Sequence, residues 1–112
     1  MIMTYILGRN EVKYELKPLT RRQKIEFSKL MKDSQKEDFE KIEEFAFTLL
    51  RFSYPEVTKE TFDDILDYNA ETYGFEETYE MLGYIIEDVF TQVGGKKPNP
   101  YLEAKREEHK AK

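Results

Sequence analysis

The chain has 112 residues, 39 % of them hydrophobic and 14 % aromatic, with no cysteine and a formal charge of −5. This leaves room for one core, carries too much apolar material for general disorder, and excludes disulfides and thiolate chemistry. The charge is uneven, +5 over residues 1–32, −13 over 33–92 and +3 over 93–112, so the acidic body disfavours nucleic-acid binding and suits the basic end of another copy.

No run approaches the roughly 18 apolar residues of a membrane helix, and residues 1–7 are too short and uncharged for a secretory signal. A soluble cytosolic protein with no membrane partner is expected. In chain order, a β-hairpin is predicted over residues 3–16. Met3-Thr4-Tyr5-Ile6-Leu7 and Glu11-Val12-Lys13-Tyr14-Glu15-Leu16 are rich in β-branched and aromatic residues. The second run alternates, with Val12, Tyr14 and Leu16 on one face. Gly8-Arg9-Asn10 between them tolerates positive φ. An isolated hairpin is marginal in water, so it must lie on the helices or on another chain.

Thr20 with Gln23 forms a capping-box pattern opening a first helix over about 21–33, carrying Ile25, Phe27, Leu30 and Met31. A second helix over 37–53 has Phe39, Ile42, Phe45, Ala46, Leu49, Leu50 and Ser53 on one stripe. Tyr54-Pro55 stops it. Thr58 caps a third helix over 59–70 with Phe62, Ile65 and Leu66, and Gly74 is a candidate C-cap. The fourth, over 75–93, presents Phe75, Tyr79, Leu82, Ile85, Ile86, Val89, Phe90 and Val93, closed by Gly94-Gly95. The expected architecture is mainly α: a four-helix antiparallel bundle with an N-terminal hairpin, one domain over residues 1–95, and a flexible charged tail over 96–112.

Catalytic chemistry is sparse. The one histidine, His109, lies in the tail and has neither a second histidine nor a cysteine to share a metal. Gly94-Gly95-Lys96-Lys97 follows a helix and lacks phosphate-loop spacing. Glu40-x-x-Glu43, sixteen residues, then Glu60-x-x-Asp63 resembles the carboxylate signature of all-α Mg²⁺-dependent nucleoside triphosphate pyrophosphohydrolases. Two physical objections stand against it. The four acids flank apolar stripes and should face water, and antiparallel helices would hold the two pairs about 20 Å apart. First-turn acids also complement the helix dipole. No catalytic residue, metal ligand or cofactor is assigned, and an enzyme is not expected.

Aromatic residues are in excess, with eight Tyr and eight Phe. Several fall off the main stripes; Phe47 and Phe52 point away from the Phe45/Leu49 face. A helix that is apolar on more than one side is covered by its own fold or by a partner. The candidate partner-binding residues are Tyr5, Tyr14, Phe27, Met31, Phe47, Phe52, Tyr54, Tyr79, Met81 and Tyr84.

A short hairpin ending in Tyr14-Glu15-Leu16-Lys17-Pro18-Leu19-Thr20, followed by four helices of this length, resembles the tail assembly chaperones of long-tailed bacteriophages. The similarity is to the tape measure protein chaperones of phages infecting hosts such as lactococci. It covers residues 3–95 and rests on layout rather than on an invariant motif. The resemblance implies an oligomer that coats the hydrophobic tape measure protein in the host cytoplasm before the tail tube forms, and is absent from the mature virion. It also implies a second, longer product made by −1 frameshifting, and Gly95-Lys96-Lys97 is compatible with a slippery codon run. A pyrophosphohydrolase and a small regulator that sequesters a host protein remain the alternatives.

Overall fold

The computed structural model describes residues 3–91 and Pro100. Strands β1 (Met3–Leu7) and β2 (Val12–Leu16) pair antiparallel with Met3 opposite Leu16 and Leu7 opposite Val12. The helices are α1 (Arg21–Asp33), α2 (Asp38–Ser53), α3 (Lys59–Tyr73) and α4 (Phe75–Thr91). The mainly helical reading with an N-terminal hairpin therefore holds. The tail, with His109, Tyr101 and Gly95-Lys96-Lys97, lies outside the described residues.

The hairpin turn differs from expectation by one position. Gly8 has φ +87° as its place requires, but the second left-handed residue is Glu11 at φ +49° rather than Asn10. Glu11 N–H donates to the Gly8 carbonyl at 3.1 Å, so β2 begins at Val12. Val12, expected inward with Tyr14 and Leu16, is exposed, because it sits at the open end of the ladder beside the turn.

Packing of the hairpin answers the stability question the sequence posed. Tyr14 and Leu16 are buried, and the Tyr14 ring meets Tyr54 edge-on with centroids 5.2 Å apart. The Tyr54 hydroxyl accepts from Glu15 N–H at 2.7 Å. At the tip, a Cβ on Gly8 would stand 3.2 Å from Ile65 Cγ1, and Arg9 lies over the Tyr68 ring. The hairpin thus rests on the exit of α2 and the outer side of α3.

Thr20 caps α1 with the complete capping box: its Oγ1 accepts from Gln23 N–H at 3.2 Å while Gln23 Oε1 accepts from Thr20 N–H at 3.0 Å. One residue of α1 is buried, Phe27. Ile25 and Met31, carried by the same helix, are exposed. Two residues along a helix is about 200°, so Ile25 and Phe27 cannot share a face.

Helix α2 is central. Phe45, Ala46, Leu49 and Leu50 are buried, and α2 is packed by α1, by α4 and by β2. Phe47, off the main stripe, lies 5.1 Å from the Phe62 ring of α3. Its second apolar side is therefore covered by the fold itself. Phe39, at the entry of α2, is half exposed and stacks on Phe75 and Tyr79 at the entry of α4. Adjacent entries mean that α2 and α4 run the same way.

Helix α3 is capped by Thr58, whose Oγ1 accepts from Thr61 N–H at 3.2 Å. It runs three residues beyond the expected end, to Tyr73, and Gly74 at φ +115° passes directly into α4. The pair is tied by Asn69, whose amide donates to Thr78 Oγ1 at 3.1 Å in a buried contact. Leu82, Ile85 and Val89 carry the buried face of α4. At the far end Phe27 is wedged between Phe45 and Phe90, with centroids 5.5 and 5.3 Å away.

Candidate protein-docking surfaces

The inner side of α1 is spent on Phe27, and the opposite side remains open. Arg21, Lys24, Ile25, Ser28, Lys29 and Lys32 recur at steps of three and four, one continuous stripe along the helix. With Leu19 before the helix and Phe90 from α4, they line an open groove of about 700 Å³. Ile25, Leu19 and Phe90 give it an apolar floor, and four cations form the rim. None of Arg21, Lys24, Lys29 or Lys32 pairs with a carboxylate among the described residues. Phe90 belongs to both sides, touching Phe27 in the core and lining the groove.

At the other end of α4 from Phe90 stands a second surface. The rings of Phe39, Phe75 and Tyr79 form a mutual cluster with centroids 4.6–5.1 Å apart. Phe39 is 50 % and Phe75 55 % exposed, although both were expected to face the core. Each sits in the first turn of its helix, where the described residues leave about half of its surface uncovered. Asp38, Glu40, Glu76 and Glu77 surround them in those same two first turns. This is an apolar cap with an acidic surround.

The ten residues singled out in the sequence are not brought together, and none lines the groove. Tyr14 and Phe27 are buried core residues and are withdrawn as partner contacts: Tyr14 is held under Tyr54, and Phe27 is 0 % exposed between two rings. Tyr5, Met81 and Tyr84 share a shallow recess between β1 and α4. Phe52 and Tyr54 line a polar recess beside Glu15 and Lys17. Phe47 borders a third with Lys36, Glu44 and Lys59. Tyr79 belongs to the cap, and Met31 is exposed on α1 away from these recesses. Sequence reasoning missed the groove because it looked for aromatics. The available signal was the cationic spacing of α1.

The carboxylate motif is only half assembled, and not as expected. Glu43 and Asp63 line the same cleft between α2, α3 and α4, rather than lying a helix length apart. The turn after α2 lets α3 fold back so that Phe62 faces Phe47, which brings one acid of each pair close. Glu40 and Glu60 do not line that cleft, Asp63 pairs with Lys59 at 3.3 Å, and Glu43 is engaged by the Tyr79 hydroxyl. Among the described residues no group of three or more acidic or histidine side chains is placed to hold a metal ion.

Three tyrosines have altered acidity. Burial, then the charge of Asp88 and a hydrogen bond to it, pushes Tyr5 from 10.0 up to about 12; its hydroxyl donates to Asp88 Oδ2 at 3.4 Å. Burial also raises Tyr14 and Tyr79, helped by Glu56 near the first and Glu43 near the second. All three hydroxyls therefore hold their protons to higher pH than a free tyrosine does.

No protein-family model, curated protein or solved structure matches the chain. No described helix is long and apolar enough to cross a membrane.

Proposed function

We propose that this protein is a non-catalytic chaperone of the phage tail assembly type, which holds apolar segments of a tape measure protein in the host cytoplasm. What supports a holding role is the groove of α1: an open apolar floor between cations that form no ion pair among the described residues. A floor of that shape suits an amphipathic helix, its apolar side down on Ile25 and Phe90 and acidic residues along its edges meeting Lys24, Lys29 and Lys32. The client's identity is supported by the hairpin-plus-four-helix layout and its Tyr14-to-Thr20 segment. Many copies along one long client would add weak contacts into a durable coat, with a frameshifted longer form as a further partner.

Co-expression tests it. The tape measure protein should move from the insoluble to the soluble fraction when the intact chain is present, and return with Ile25→Glu, a surface change that leaves the core alone. A client equally insoluble with and without the chain would sink the proposal.

A further inference from the structure

The groove and the cap are opposites in charge and alike in apolar content, and Phe90 of the groove and Phe75 of the cap stand at opposite ends of α4. We infer that they are mates: without client, the acidic aromatic cap of one molecule docks into the basic groove of a second copy, head to tail. The inference builds on the reading of the groove as a protein-docking site, and names its resting occupant.

The fit is argued from three observations. The rim cations Arg21, Lys24, Lys29 and Lys32 form no ion pair with a carboxylate among the described residues, and Asp38, Glu40, Glu76 and Glu77 around the cap form none with a cation there. Each set therefore lacks a counter-charge that the other supplies. The two half-exposed rings, Phe39 and Phe75, keep about half of their surface uncovered among the described residues, and the groove floor has room for aromatic side chains. A groove–groove or cap–cap pairing would instead juxtapose like charges, which counts against a two-fold dimer and for a heterologous contact. Such a contact leaves a free groove at one end and a free cap at the other, so chains or rings grow with concentration. It also shields the apolar floor until a client displaces the neighbour.

Two surface variants of the full chain separate the possibilities in sedimentation velocity. Phe75→Asp disables the cap and keeps the groove; Ile25→Asp disables the groove and keeps the cap. The wild type should sediment faster as concentration rises, and more slowly again at high salt. Each variant alone should stay monomeric, and their mixture should give a one-to-one complex that grows no further. A wild type that is monomeric at every concentration overturns the inference. So does a dimer that survives in Phe75→Asp alone (groove on groove) or in Ile25→Asp alone (cap on cap). Circular dichroism of each variant checks that it is folded. Phe75→Asp should still solubilise the tape measure protein, so loss of self-association and loss of the client reading register separately.

Discussion

Phe27 of α1 stands edge-on to Phe45 of α2, centroids 5.5 Å apart and planes at 72°, with no part of its surface exposed. It is the one buried side chain of its helix, so the attachment of α1, and the groove with it, depends on this ring. Phe27→Ala should cost about 3–5 kcal/mol, a large share of the 5–15 kcal/mol typical of a domain. Phe27→Leu should cost clearly less. Urea unfolding measures both, and a loss below about 1 kcal/mol for the alanine variant would show that α1 is held some other way.

The buried amide of Asn69 relies on Thr78. Thr78→Val keeps the shape but strands that donor, for an expected loss of about 1–3 kcal/mol. Pairing it with Asn69→Leu removes both polar groups, so the double variant should be more stable than the two single losses add up to. Strict additivity in the cycle would mean that the hydrogen bond contributes nothing.

Gly74 carries φ +115°, with Glu77 Cγ at an ordinary 3.7 Å from a notional Cβ. Space is therefore not the constraint; backbone conformation is. Gly74→Ala should cost about 1–2 kcal/mol and shift the α3–α4 junction, seen as a lower melting temperature. An unchanged melting temperature would refute the conformational argument.

Alkali should loosen the hairpin from α4. Tyr5 is neutral in both states below its ordinary 10.0. Between there and about 12 the unfolded chain gives up its proton first, so stability falls through that window. Tyr14 and Tyr79 are raised as well, so Tyr5→Phe should move the alkaline unfolding midpoint upward without abolishing it. Circular dichroism against pH is the measurement, and an identical midpoint in the variant would count against the Tyr5–Asp88 contact.

Local rules read well where chemistry and spacing agreed. The Thr20/Gln23 capping box, the Thr58 cap and the Phe45–Leu50 stripe are as expected, because each depends on residues within a turn or two of one another. Tertiary facts were read less well. Phe47 looked spare until α3 supplied Phe62, and Phe39 and Phe75 looked like core but meet each other at the helix entries with about half of each ring exposed. The groove was legible in principle as the Arg21-to-Lys32 stripe, whereas its floor needed Phe90, sixty-odd residues away, which no local pattern reveals. Glu43 and Asp63 came to share a cleft through the fold-back of α3, a register that helix lengths alone do not fix.

The slot that receives Phe27 is closed by Phe90, and this orders events during synthesis. At roughly 5–20 residues per second, a ribosome takes on the order of 3–13 s to travel from the first position to the second. During that interval the earliest helix made has at first neither half of its socket and, once Phe45 is made, only one, so its ring is available to whatever lies nearby. The oldest helix of the chain thus has its socket completed only by the last turn of the youngest one.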